Sequence, residues 1–231
     1  MDLPLQAFVF DFDGVIVDSE PAHYRAFQAV LEPLGQGYGW DEYLAHYIGF
    51  DDRDGFREAF RRGERELAEA DLEGLIEAKS AAFDRELAAG LEPIPGAVEC
   101  VRRLGELLPL AVCSGALRQE IEPTLAALGI AEEFRVVVSA EDVAHSKPDP
   151  ASYRLAVERL GESLGKPLEP AACAAIEDTP TGAASARGAG LWVVGLDRGG
   201  DAGLEQAHRV VREPAEVDAD LLAALGRGEQ A

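Results

Sequence analysis

Two carboxylates stand two residues apart where an apolar run ends, in Phe10-Asp11-Phe12-Asp13-Gly14-Val15-Ile16-Val17-Asp18-Ser19. On an extended backbone, side chains two apart point the same way, so Asp11 and Asp13 present their acids together. Gly14 permits a sharp turn and a close ligand approach. A second apolar run ends in the same manner, in Ala174-Ala175-Ile176-Glu177-Asp178-Thr179. Carboxylates that converge repel one another unless a cation neutralises them, and an all-oxygen set suits a hard ion such as Mg2+. Plainer readings stand beside this one. Asp178 is also placed to cap a helix after Pro180, and Asp18-Ser19 to cap the helix that follows them.

Two other segments offer positive charge and neutral donors. In Leu110-Ala-Val-Cys113-Ser114-Gly115 a hydroxyl follows an apolar run, and backbone N–H groups beside Gly115 are suited to a bound oxyanion. Ser-Gly is equally an ordinary loop pair. Ser146-Lys147-Pro148-Asp149-Pro150 is sharper, because lysine is rare here: of 21 basic residues only Lys79, Lys147 and Lys166 are lysines. A compact ammonium acts as a point charge on phosphate, which the planar fork of arginine does not reproduce. The alternative is a simple helix start.

These groups need elements to hold them. Short apolar runs at Ala7–Phe10, Leu110–Cys113, Val136–Val138, Ala171–Ile176 and Leu191–Leu196 have the length of buried parallel strands. Helices are expected near Gly96–Leu107, near Leu117–Leu128, from Pro150 to about Leu160 with a stop at Gly161, and near Thr181–Gly188. That alternation predicts a doubly wound parallel α/β sheet, a Rossmann-like core. Ligands bind such sheets at the carboxyl ends of the strands, where all the residues above fall. From Ser19 to about Gly90 no strand is evident and the stretch is helix-rich and charged, and the prolines of Leu91-Glu-Pro-Ile-Pro-Gly96 read as a linker. The expected division is therefore a catalytic core of residues 1–18 and 91–231 and a small helical domain of residues 19–90.

Composition narrows the partners. A net charge of −22 argues against nucleic acid, which needs clustered basic surface. No apolar stretch is long enough to cross a membrane, and the start lacks the marks of a signal peptide. The three cysteines, Cys100, Cys113 and Cys173, form no CxxC pair; buried reduced thiols in a cytoplasmic protein are expected.

In order, Asp11-Phe-Asp13-Gly-Val, Ser114-Gly115, Lys147-Pro-Asp-Pro and Glu177-Asp178 resemble the four motifs of the haloacid dehalogenase-like hydrolases, over about residues 7–212. The insert after the first motif resembles the small helical cap of the branch holding phosphoglycolate phosphatases and β-phosphoglucomutases. Dehalogenase members lack the second acid, which this chain has at Asp13. The resemblance implies a phosphatase acting on a small phosphorylated metabolite, as a monomer or weak homodimer. Asp11 would be the nucleophile and form an aspartyl-phosphate, and Asp13 the general acid and base. Mg2+ would be held by the Asp11 carboxylate, the Asp13 carbonyl and Asp178, with Glu177 either a direct ligand or one step removed. Ser114, Gly115 and Lys147 would bind the phosphoryl oxygens. In the insert, the loop Tyr47-Ile-Gly49-Phe50-Asp51-Asp52-Arg53 resembles a substrate loop, with Arg53 meeting substrate or else pairing with a neighbouring acid. His23 resembles the histidine of the mutase branch or is a helix-surface residue. A β-phosphoglucomutase-like phosphomutase is the rival reading, and a non-catalytic binding protein on the same fold the remote one.

Overall fold

The computed structural model describes residues 5–47, 50, 52–199 and 203–228. In chain order the elements are β1 (Ala7–Phe10), β2 (Val17–Asp18), α1 (Glu20–Leu31), α2 (Trp40–His46), α3 (Asp52–Arg62), α4 (Glu69–Ala89) and β3 (Glu92–Pro93). They continue with α5 (Ala97–Gly105), β4 (Leu110–Cys113), α6 (Arg118–Ala127), β5 (Phe134–Val138), α7 (Ala151–Leu164) and β6 (Cys173–Glu177). The last are α8 (Pro180–Gly188), β7 (Trp192–Leu196), β8 (Arg209–Val211) and α9 (Ala219–Gly226). Of the loop Tyr47–Arg53, Ile48, Gly49 and Asp51 lie outside the described residues.

The chain divides into two compact units, one made of the residues up to Asp18 and from Glu92 onward, the other of Ser19–Leu91. In the first, six strands form a parallel sheet in the order β5-β4-β1-β6-β7-β8. β1 is central, with every residue buried. Ala7 and Val9 turn to the face covered by Tyr153, Ala156, Val157 and Leu160 of α7 and by Ala183 and Ala186 of α8. Phe8 and Phe10, alternating with them, serve the opposite face, where Phe10 meets Phe134 edge-on. The chain leaves β1 for β4 on one side and reaches β6 on the other, which makes the carboxyl end of β1 the switch point of the sheet.

In the second unit, α1 lies along α4, and Phe27, Leu31, Tyr43, Tyr47, Phe56, Ala59, Phe60 and Leu72 form its own core. The approach of α3 requires Gly55, since a Cβ there would stand 2.7 Å from the Phe27 ring.

Several sequence expectations need correction. The α7 helix does not stop at Gly161; it runs to Leu164 and ends on Gly165 in the left-handed conformation. Gly161 instead lets the returning backbone pack close, with the Lys166 carbonyl 2.9 Å from where a Cβ would stand. Strand β6 begins at Cys173, because Pro170–Ala172 forms a 3-10 turn. The 91–96 linker contains β3, paired antiparallel with β2. Ser19 occupies the N-cap of α1, yet its backbone is already helical (φ −84°, ψ −14°) and its side chain makes no cap. Asp178 is not the cap of α8. Thr179 is, accepting from the Gly182 N–H at 3.1 Å.

Candidate active site

Asp11 follows β1, Ser114 follows β4, and Glu177 ends β6 with Asp178 next to it, so the sheet itself brings three strand ends to one place. Lys147 comes from the long loop after β5. That loop is pinned by Asp142, which accepts from the Ser139 N–H (2.9 Å) and Arg118 Nη2 (2.7 Å) and pairs with Arg159 (2.8 Å). Burial pushes Asp142 up, but the donors of Ser139 and the two guanidiniums outweigh it and hold the carboxyl down to about 2.

The Lys147 ammonium donates to Asp11 Oδ1 (2.7 Å), Glu177 Oε1 (2.6 Å) and the Cys113 carbonyl (3.0 Å). An ammonium has three protons, so its donor set is complete. Glu177 is wholly buried; Oε1 also accepts from the Tyr153 hydroxyl (2.6 Å) and Oε2 from Thr179 Oγ1 (3.2 Å). Two glycines make room for these acids. A Cβ on Gly182 would lie 2.0 Å from the Glu177 carboxylate, and one on Gly14 would lie 1.8 Å from Asp178 Oδ2. Gly14 also sits at φ +75°, which side chains disfavour.

One oxygen each from Asp11, Glu177 and Asp178 fall within 4.8 Å of one another. Three carboxylates around one ammonium leave an excess of negative charge in a dry place. Burial, then Glu177, raises Asp11 well above the usual carboxylate range despite Lys147, and the same two causes push Asp178 up to about 7. Burial opposes the charge of Lys147, but Asp11 and Glu177 raise it further, and it stays an ammonium. Asp178 Oδ1 is buried with no hydrogen-bond partner among the described residues. An orphaned carboxylate oxygen beside two more oxygen donors fits a hard divalent cation.

Asp13 is met by Ser114 Oγ at 3.5 Å, a long contact, while Ser114 Oγ accepts from the Ala116 N–H at 2.9 Å. Gly115 has open space around it, with nothing within 4 Å of a Cβ placed there. A cavity of about 260 Å³ is lined by Ser114, Gly115, Ser146 and Lys147.

The remaining two sequence candidates belong to the other unit. His23 stacks on Phe83 (4.1 Å between ring centres), and its Nδ1 accepts from Lys79 Nζ at 3.0 Å. Burial, then Lys79, pushes its imidazole down to about 3. Arg53 meets Glu69 at 3.3 Å in an exposed ion pair. Sequence reading missed Tyr153, Thr179 and Gly182. Thr179-Pro180 carried a readable signal, that of a helix cap followed by proline. Tyr153 carried none, because at its spacing it looks like any core aromatic.

A family model described as haloacid dehalogenase-like hydrolase matches residues 5–190. The chain is 32% identical over 183 residues to fructose-1-phosphate phosphatase YqaB of Escherichia coli, covering 79% of this chain and 92% of that one. It is 27% identical to the β-phosphoglucomutase of Bacillus subtilis over 94% of each chain. A solved structure of a putative β-phosphoglucomutase from Thermotoga maritima superposes with a TM-score of 0.77 at 27% identity, covering 94% of this chain and 98% of that one. With three strand ends and the Lys147 loop meeting in one acidic, lysine-bridged site, this chain belongs to the haloacid dehalogenase-like hydrolases, as a phosphoric monoester hydrolase of the branch that holds phosphatases and phosphomutases.

Proposed function

We propose that the chain is a Mg2+-dependent phosphatase that hydrolyses a small sugar or acid phosphate through an aspartyl-phosphate on Asp11. The observation that carries this reading is the Asp11 carboxylate held by Lys147 at 2.7 Å and grouped with Glu177 and Asp178, with Ser114 Oγ meeting Asp13 at 3.5 Å. Lys147 engages Oδ1, so Oδ2 is the oxygen offered to phosphorus. As Oδ2 bonds to phosphorus, the bond from phosphorus to the leaving oxygen breaks, and Asp13 gives that oxygen its proton. Asp13, now a carboxylate, takes a proton from water as the water attacks phosphorus. The bond to Oδ2 breaks, inorganic phosphate leaves, and Asp11 is restored. Ser114 and the backbone at Gly115 hold the phosphoryl oxygens, and the positive charge of Lys147 offsets theirs as it redistributes. Mg2+, held by the Asp11 and Asp178 carboxylates and the Asp13 carbonyl, supplies charge neutralisation and keeps Asp11 ionised.

His23 and Arg53 are the insert's candidates for recognising the rest of the substrate. The named activity of the Escherichia coli relative supports a sugar phosphate. A cytoplasmic setting is supported by three buried free thiols, and the enzyme is read as a monomer or weak homodimer. The test is phosphate release from a panel of sugar and acid phosphates, with Mg2+ and with chelator. Release from several small monoesters that stops in chelator is expected; full activity in chelator would sink the metal-assisted reading. The phosphomutase alternative is favoured by the similarity to β-phosphoglucomutases. Incubation with β-glucose 1-phosphate, Mg2+ and a trace of the 1,6-bisphosphate separates the two. Rapid glucose 6-phosphate with little free phosphate would make the chain a mutase.

A further inference from the structure

The hydroxyl of Tyr153 is a buried group that the mechanism above does not use. The ring is fully buried in the core between α7 and the sheet, and packing alone asks for no more than phenylalanine there. Burying a phenol without a partner is costly. Here the hydroxyl donates at 2.6 Å to Glu177 Oε1, the same oxygen that accepts from Lys147 at 2.6 Å. The Tyr153 ring also lies under that ammonium, 5.1 Å from its centre to Nζ.

We infer that Tyr153 is a positioning residue for the phosphoryl-transfer reaction, acting on Lys147 through Glu177. This inference rests on the phosphohydrolase reading of the site. Lys147 stands between two anions, Asp11 and Glu177, and is drawn toward each. A second donor on Oε1 takes up part of that oxygen's charge and weakens its pull on the ammonium. The charge of Lys147 is thereby left to Asp11 and to the phosphoryl group that Asp11 accepts. The same hydroxyl, with Thr179 on Oε2 and Gly182 against the carboxylate, fixes Glu177 where it serves Lys147 and limits its negative potential toward the cation. Burial and the Glu177 charge raise the phenol well above its ordinary range, so it remains a donor at any working pH.

The test compares Tyr153→Phe with wild type, in the native background and in Glu177→Gln. Hydrolysis of p-nitrophenyl phosphate gives kcat and KM, and calorimetric titration with Mg2+ gives metal affinity without turnover. Loss of one charge-assisted hydrogen bond is expected to lower kcat about tenfold with KM within about twofold. Removing the donor leaves Glu177 more negative, and Mg2+ binds about threefold tighter. Both effects shrink below about twofold in Glu177→Gln, because the two residues act as one unit. Wild-type kcat together with wild-type Mg2+ affinity in Tyr153→Phe would overturn the inference. So would an equal loss in the Glu177→Gln background, which marks a packing effect. If the unmodified protein hydrolyses no monoester, the phosphatase reading fails, and the Mg2+ titration still decides the role of Tyr153.

Discussion

Each unit of the molecule contains a lysine largely withdrawn from water, and the two are held in different ways. Lys147, in the sheet unit, is bound by two carboxylates and a carbonyl, with a third carboxylate close by. Lys79, in the helical unit, is 3% exposed and among the described residues has one carboxylate, Asp52 at 2.6 Å, with the neutral His23 ring as its other polar partner. Its remaining surface is aromatic, Phe27 at 5.1 Å and Phe83 at 5.0 Å from ring centre to Nζ. The first arrangement carries surplus negative charge and is suited to recruiting a cation and a phosphoryl group. Among the described residues the second is balanced, one lysine against one carboxylate. Burial of a lysine is thus not a mark of chemistry; the charge left over around it is.

The sharpest way to break this contrast is to replace both lysines by methionine. Lys147→Met strands Asp11 and Glu177 as unpaired buried anions, which costs about 3–5 kcal/mol, and turnover should fall at least about 10²–10³-fold. Lys79→Met leaves only Asp52, whose side chain is 30% exposed and can rehydrate, so the loss should stay within about 1–2 kcal/mol. Equal losses of thermal stability in the two variants would show that the local charge surplus is not what distinguishes them.

Gly182→Ala tests the packing behind the surplus. A methyl group 2.0 Å from the Glu177 carboxylate must displace it, and turnover should drop by about 10–100-fold, the usual size for a group supporting a site at one remove. Gly74→Ala, on α4 with open space around it, should leave rates unchanged.

Acid separates the units by sign. His23 is held down from 6.5 to about 3, so its contribution to stability is complete above pH 6.5 and is lost as pH falls toward about 3. Asp178 is pushed up from 3.8 to about 7, so without metal its contribution is present below pH 3.8 and is lost as pH rises toward about 7. In chelator, His23→Phe should flatten the acid-side decline in melting temperature and Asp178→Asn the neutral-side decline. Added Mg2+ should raise the melting temperature more at pH 8 than at pH 5.5, because it competes with the proton on Asp178. A metal-induced shift independent of pH would mean that Asp178 does not hold the ion.

The smallest effect is expected from Arg53→Ala. Its ion pair is exposed and contributes no more than about 1 kcal/mol. A rise in KM with unchanged stability would assign Arg53 to substrate, and unchanged KM would leave it a surface pair with Glu69.

The same contrast explains what could be read from the chain. Buried parallel strands are uninterrupted apolar runs, so Ala7–Phe10 and Leu110–Cys113 were legible to the residue, and the polar residues that terminate them stood out. β5 was read short because exposed Arg135 interrupts its apolar run, and β2, β3 and β8 are too brief to leave a pattern. Lys79 sits in Glu77-Ala-Lys79-Ser and looks solvated; its cover comes from distant parts of the chain, Phe27 and His23 of α1 and Asp52 of α3. Tyr153 was invisible for the same reason, since its hydroxyl acquires meaning only when β6 delivers Glu177.

The two-residue ribbon of β2 and β3 pairs Asp18 with Glu92, so the chain enters and leaves the helical unit at neighbouring points. This bears on how the molecule is assembled in time. The central pair β1 and β4 joins Phe8 to Leu110, a closure across about a hundred residues of loose chain if nothing has formed between them. A helical unit that folds first from its local contacts and ties its own ends shortens that path to a few tens of residues. The closure entropy falls by about 1 kcal/mol, and the central strands meet correspondingly sooner.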